Sequence, residues 1–248
     1  TYRDFEFLIV DDGSMDGTAE ILADITKDDP RVCIIRNETN LGLTKSLNRA
    51  LGQARGIFIA RMDADDVALP DRFKKQMTFL EQHPEIAMVG TSFEWIDSDS
   101  HVLGKPSVMT DPKVLHRLLI RTNPFLHGSV VIRKELLTRV HGYNETFKKA
   151  QDYELWLRLS RMCSFANLPD ILMQKRLTKT MISFKSEHEQ IQCALRARIQ
   201  ALKRGDYPLW CVIYLLKQFF ATILPIKLVR LARIYLFGQD VYAHPSLK

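Results

Sequence analysis

Short apolar runs and amphipathic stretches take turns along the first half of the chain. The runs are residues 5–10 (FEFLIV), 31–36 (RVCIIR), 56–61 (GIFIAR) and 86–93 (IAMVGTSF), each of strand length. Between them the period changes to that of a helix. Residues 16–24 have helix character, and Leu43, Leu47, Ala50, Leu51 and Ala54 recur at helical spacing before Gly56. Phe73, Met77 and Leu80 then follow Pro70, which suits a first helical turn, and Pro84 closes that stretch. Strands alternating with helices predict an α/β domain with a largely parallel sheet. The second half is less regular. It predicts a strand at 129–133, a helix over 152–162 with Leu155, Trp156 and Leu159 on one side, and a helix over 187–203.

A break at Tyr207-Pro208 and a shift in composition divide the chain into residues 1–206 and a helical extension, 207–248. Residues 209–224 are apolar but carry Lys217 and Gln218, and their 16 positions fall short of a bilayer span, which takes about 20. Beyond Pro225, Lys227, Arg230 and Arg233 fall on one helical face, with Leu228, Val229, Leu231, Ala232, Tyr235 and Leu236 largely on the other. A basic, apolar helix of this kind suits an anionic membrane interface. Packing against the domain or a second copy is the competing reading, and a true span is the third.

Composition narrows the class. The chain has 248 residues, 46% hydrophobic and 26% charged, enough for a sizeable core. That excludes a mainly disordered, collagen-like or coiled-coil chain. The net charge of +6 is mild, and no basic run interleaved with aromatics marks a nucleic-acid partner. Cys33, Cys163, Cys193 and Cys211 form no CxxC pair, which argues against zinc or a disulfide framework. Reduced thiols in or near the core of a cytosolic protein are expected. No secretory signal pattern opens the chain. Its start, an apolar strand with no Met and nothing before it, suggests that the chain begins inside a domain.

Acidic clusters follow two of the strands: DDGS at 11–14 and DADD at 63–66. Ligands of open α/β sheets bind outside the carboxyl ends of strands, so Asp11, Asp12, Asp63, Asp65 and Asp66 are expected to face one crevice. Carboxylates suit Mg²⁺ or Mn²⁺, which fill their remaining coordination from substrate phosphates. Helix capping and turn chemistry are the plainer reading of each cluster alone. Asp152 opens the helix AQDYELWLRL, either as a charge favoured by the helix dipole or as a general base for an acceptor hydroxyl.

FLIVDDGSMDGT, NLGLTKSLNRAL, ARMDADDVALPDRFKKQ, NPFLHGSVVIRKELL and GYNETFKKAQDYELWLRL follow one another in that order. The ordered set resembles glycosyltransferase family 2, over roughly residues 4–186. The resemblance implies a GT-A, Rossmann-like fold, a mostly parallel sheet flanked by helices, here with a C-terminal helical extension. It implies that Asp12 contacts the nucleoside with Asp11 supporting its turn. Asp63 and Asp65 match the family's DxD pair, Asp65 as the main metal ligand and Asp63 near the ribose or metal. Asp152 matches the catalytic base. Gln151 stands where a Glu usually precedes that base, so less like-charge elevation of its pKa is expected. His127 stands where a donor-pocket His is often found, a buried structural His being the alternative. Arg176 lies in a stretch resembling the family's Arg-x-His, with Thr178 at the His position. It is a candidate for the diphosphate, or an ordinary surface Arg.

Family members carry a strand, turn and helix before the segment matching residues 1–7. Their absence here is expected to leave unpaired backbone and exposed apolar surface, and to put folding and activity of this chain in question. The implied activity is inverting, metal-dependent transfer of a sugar from a nucleotide-diphosphate sugar, UDP before dTDP or GDP. The implied acceptor is a hydroxyl of a polysaccharide or lipid-linked oligosaccharide, on the cytoplasmic face of a membrane. Two rivals remain. A nucleotidyltransferase-like enzyme would release pyrophosphate and need a Gly-rich phosphate loop, which the sequence lacks. A truncated, non-catalytic relative would only bind a membrane or partner.

Overall fold

The computed structural model describes residues 1–177, 186–224 and 229. In chain order the elements are β1 (Phe7–Asp11), α1 (Thr18–Asp28), β2 (Val32–Arg36), α2 (Leu43–Gln53), β3 (Phe58–Ala60), β4 (Val67–Ala68), α3 (Arg72–Gln82) and β5 (Ile86–Ile96). They continue with β6 (Val102–Gly104), α4 (Pro112–Leu119), β7 (Val131–Arg133), α5 (Lys134–Arg139), α6 (Gln151–Leu159), β8 (Ser164–Arg176), α7 (Glu187–Lys203) and α8 (Ile213–Ile223). Short 3₁₀ turns stand at His127–Ser129 and Leu209–Val212. Thr178 and the basic helix expected over 227–237 lie outside the described residues, Val229 excepted.

β1 and β2 form a parallel pair, and a second sheet runs β3-β7-β5-β8-β4, with β6 on β5. The long β5–β8 pairing is parallel, and the four shorter pairings are antiparallel. More residues therefore stand in parallel than in antiparallel register, as the alternating pattern predicts. Among the described residues β1 pairs only with β2 and β3 only with β7, so the two sheets share no ladder. α1 buries no residue, and Ile21, Ile25 and Ile57 stand exposed.

The central sheet is apolar on both faces, which is why β5 reads as a continuous apolar run. Met88, Ile132 and Phe165 face a core shared with Leu115, Leu155, Trp156 and Ala197, from α4, α6 and α7. Their strand neighbours Val89, Val131 and Ala166 face Leu80 of α3. Tyr207 and Cys211 join the first of these cores. Cys33 departs from the expected core thiols and is exposed.

The α3 stripe also differs in detail. Its most buried residues are Arg72, Gln76 and Leu80, while Phe73 and Met77 are half-buried. The polar pair is not misplaced. Arg72 Nη2 donates to Arg61 O at 2.7 Å, and Gln76 Nε2 donates to Val89 O and Ser129 O, both at 2.8 Å. Three backbone carbonyls at the head of the sheet are thereby satisfied by α3.

Gly90 faces Asn167 across the β5–β8 ladder. Asn167 Nδ2 donates to Met109 O at 2.9 Å and Pro124 O at 3.2 Å, tying down the segment that leads to His127. A Cβ at Gly90 would lie 2.2 Å from Asn167 Oδ1. Gly90→Ala is therefore expected to destabilise the fold by about 1–3 kcal/mol, the usual cost of overpacking. A thermal melt checks this, and an unchanged transition would mean that Asn167 can step aside.

Candidate active site

The first acidic cluster forms the turn after β1. Asp11 is buried, and its Oδ1 accepts the Ser14 N–H at 2.9 Å. Ser14 and, less strongly, Arg36 hold its carboxyl below the usual range. Asp12 is half-buried at the head of α2. Its Oδ1 accepts from Asn37 Nδ2 (2.7 Å) and Leu41 N–H (2.8 Å), its Oδ2 from Gly42 N–H (2.9 Å). Burial pushes this carboxyl up, but the donors from Asn37, Leu41, Ser46 and Gly42 outweigh it and hold it low. Asp16 accepts from the Thr18 N–H at 3.1 Å and so serves the start of α1.

Thr44 Oγ1 donates to Phe147 O at 2.7 Å, and Asn48 bonds both the N–H and the carbonyl of Tyr143 at 2.8 Å. These bonds dock α2, and with it Asp12, against the loop that leads to Asp152.

The second cluster leaves β3 through Arg61, a buried residue whose N–H donates to Val130 O at 2.9 Å. Arg61 Nη1 lies 2.5 Å from Asp63 Oδ1, a buried guanidinium paired with a partly exposed carboxylate. Asp65 is exposed. Asp66 is buried, accepts the Arg176 N–H at 3.0 Å on Oδ1, and has no partner for Oδ2. Burial pushes its carboxyl up to about 6. The backbone of the His127–Ser129 turn crosses directly over these groups. A Cβ on Gly128 would lie 3.0 Å from Asp66 Oδ2 and 3.3 Å from Asp63 Oδ2. Only a glycine leaves that approach open.

Asp152 stands in the first turn of α6, after Ala150, whose φ of +52° is uncommon for a residue with a Cβ. Asn123 Nδ2 donates to Asp152 Oδ2 at 2.7 Å. Burial raises the Asp152 carboxyl, opposed by the Tyr153 N–H, the Asn123 amide and Arg61. Elevation thus comes from desolvation and needs no like charge, which is how Asp152 is raised with the neutral Gln151 beside it. Asn123→Ala is expected to raise it further, since the lost donor favours the ionised form. The acid limb of kcat/KM should then move to higher pH, and an unmoved limb would separate Asp152 from the rate.

His127 links the two halves. Its Nε2 lies 2.9 Å from Tyr143 Oη, and its ring packs edge-on against Trp156 at 6.1 Å. Burial, then Arg61 and Lys175, hold it well below its ordinary pKa, so it is neutral at pH 7. Burial raises the Tyr143 hydroxyl, which also feels Arg61, Asp152 and Asp63. Asp63 and Asp152 thus both lie within electrostatic reach of Tyr143.

Arg176 differs from a free surface arginine. Its guanidinium donates to Asp65 O (3.1 Å), Asp97 O (2.7 Å), Ser98 O (2.9 Å) and Ser100 Oγ (3.1 Å). It joins β8, the Asp65 loop and the β5–β6 hairpin. In that hairpin Asp97, Asp99 and His101 bring their ligand atoms within 4.8 Å of one another. Asp97 Oδ1 accepts the N–H groups of Asp99 and His101, both at 2.9 Å, so the group is an internally bonded turn. Among the described residues Asp63, Asp65 and Asp66 form no such convergent set.

Sequence reasoning missed Arg61, Arg72, Gln76, Asn123 and Tyr143. Only Asn123 carried a local signal, the turn-forming Asn-Pro that opens NPFLHGS.

This architecture has close counterparts. The glycosyl transferase family 2 model matches residues 1–140. Amylovoran biosynthesis glycosyltransferase AmsE of Erwinia amylovora is 31% identical over 246 residues, covering 95% of this chain and 87% of its own. The structure of Staphylococcus aureus TarS residues 1–349 with UDP-GlcNAc superposes with a TM-score of 0.69 at 19% identity, over 98% of this chain and 70% of that one. The mannosyltransferase PcManGT of Pyrobaculum calidifontis, solved with GDP-Man and Mn²⁺, superposes with a TM-score of 0.59 at 18% identity, over 96% and 72%. The protein belongs to glycosyltransferase family 2 and has the α/β GT-A fold.

Proposed function

We propose that the protein is a metal-dependent, inverting glycosyltransferase that moves a sugar from a UDP-sugar to a hydroxyl of a polysaccharide or lipid-linked oligosaccharide, at the cytoplasmic face of a membrane. The observation that carries this reading is that Asp63 and Arg61 meet the His127–Ser129 turn while the buried Asp152 lies within electrostatic reach of Arg61 and Tyr143. Donor and acceptor chemistry need one such neighbourhood, with carboxylates for the diphosphate side and a raised carboxyl for the hydroxyl side. AmsE, named for amylovoran biosynthesis, supports a glycan acceptor in this reading.

Asp63 and Asp65 suit Mn²⁺ or Mg²⁺ by the chemistry of their oxygens, although with Asp66 they do not converge on one point. Both ions take carboxylate oxygens, and the exposed Asp65 and partly exposed Asp63 leave room for substrate phosphates. Asp65 is the main ligand in this reading, with Asp63 beside it. A metal held there supplies positive charge to the departing diphosphate. Asp12 and Asp11 form the nucleoside side. Asp152 takes the proton of the acceptor hydroxyl. That oxygen attacks the anomeric carbon as the bond to the diphosphate breaks, so UDP leaves and the configuration inverts. Neutral His127 lines the donor-sugar pocket. Arg176 acts on the diphosphate through the Asp65 loop that it holds.

Incubating the chain with a panel of UDP-sugars and glycan acceptors, with and without Mn²⁺, tests the reading. Mn²⁺-dependent release of UDP and a product of inverted anomeric configuration by NMR are expected. Release of pyrophosphate from a nucleoside triphosphate, or a product of retained configuration, would overturn it.

A further inference from the structure

Among the described residues, the 3₁₀ turn at Leu209–Val212 and α8 (Ile213–Ile223) leave one face without a partner. Leu209, Trp210, Ile213, Leu216, Phe220 and Ile223 recur at spacings of three and four along the 3₁₀ turn and α8, and all are exposed. Ile213 and Phe220 are each 58% exposed, and Trp210 is 64% exposed. The opposite side of the same segment is already used. Cys211 is buried, and Gln218 Nε2 donates to Ile191 O of α7 at 3.2 Å. Contiguous apolar surface of this kind marks an interaction site. No helix among the described residues is long and apolar enough to cross a membrane, so the stripe is a face and not a span.

Charge identifies the occupant. From the start of α7 onward, residues 187–248 hold nine Lys and Arg against Glu187, Glu189, Asp206 and Asp240, so most of the chain's positive excess lies in this part of the sequence. Arg121 sits over the Tyr214 ring at 5.0 Å, and Arg196 and Lys203 line the groove beside Phe219. Asp206, the acid nearest in sequence, is buried between Arg161 and Arg204. A second copy meeting this face would bring like charges together. An anionic lipid surface would neutralise them while its acyl boundary covers the stripe. Basic side chains near such a surface are drawn to its anionic headgroups, and Trp210 beside Tyr214 suits the headgroup level.

We propose that this face docks the protein on an anionic membrane surface, with Leu209, Trp210, Ile213, Leu216, Phe220 and Ile223 inserting into the interface. The test is co-sedimentation of the 248-residue chain with vesicles of phosphatidylcholine alone or mixed with phosphatidylglycerol. Binding to the mixed vesicles, weakened by salt, is expected. The double variant Ile213→Glu, Phe220→Glu should bind about tenfold or more weakly, which corresponds to about 1.4 kcal/mol or more. Both side chains are exposed, so its melt should match the parent's. Independently of that variant, the parent's tryptophan emission should shift to the blue on mixed vesicles, and Trp210→Phe should remove the shift. No binding to mixed vesicles, undiminished binding by the double variant, or a solution dimer that the double variant dissolves would overturn the proposal.

Discussion

Asp152→Asn is expected to slow sugar transfer by about 10³-fold, within the range typical for loss of a general base. Donor binding should persist, because the substitution removes a proton acceptor and leaves the Asp63 side of the site intact. The same variant should also melt at a higher temperature near neutral pH. Burial raises the Asp152 carboxyl above its unfolded value. Between the unfolded and folded pKa values the native state binds more protons than the unfolded state, so stability falls as pH rises through that window. An Asn never ionises and can still accept from Asn123. Its advantage should be present at pH 7 and vanish below about pH 4, where Asp152 is protonated in both states. Calorimetric melts at the two pH values, paired with a transfer assay, check both halves. Full activity would reassign the base, and an unchanged melt would mean that Asp152 is solvated in the native state.

Asp65→Ala should abolish the metal dependence of donor binding and weaken UDP affinity in Mn²⁺ by more than the roughly 10- to 100-fold that loss of an outer partner costs a metal site. The fold should not respond. The Asp65 side chain is exposed, and it is the Asp65 carbonyl that receives the Arg176 guanidinium. An unaltered melt with lost Mn²⁺ response separates a binding defect from unfolding. Unchanged Mn²⁺-dependent binding would move the metal elsewhere, and the Asp97–His101 hairpin is the first place to look.

What the sequence made legible follows the length of each signal. β5, α2 and α3 carry enough apolar positions to declare their period. β8 does not, although it is the longest strand. Its register jumps from Leu168 opposite Thr91 to Ile171 opposite Ser92, so Pro169 and Asp170 are looped out where the Pro needs no ladder partner. β4 and β6 have two and three residues, too few for any alternation to show. In the site, the acids were legible because they recur after two strands and fall within one ordered set of motifs. Their supports were not. Arg72 and Gln76 lie outside the apolar stripe of α3 that the sequence shows, and only the tertiary structure turns them onto the carbonyls of Arg61 and Ser129. Asn123 and Tyr143 meet Asp152 and His127 across 29 and 16 positions, distances over which spacing carries no information.

Calorimetric titration of UDP into the chain and into Asp65→Ala, each with and without Mn²⁺, tests the central claim most directly. Binding is expected to strengthen with Mn²⁺ in the parent and to lose that response in the variant. UDP binding that ignores both Mn²⁺ and Asp65→Ala would contradict it.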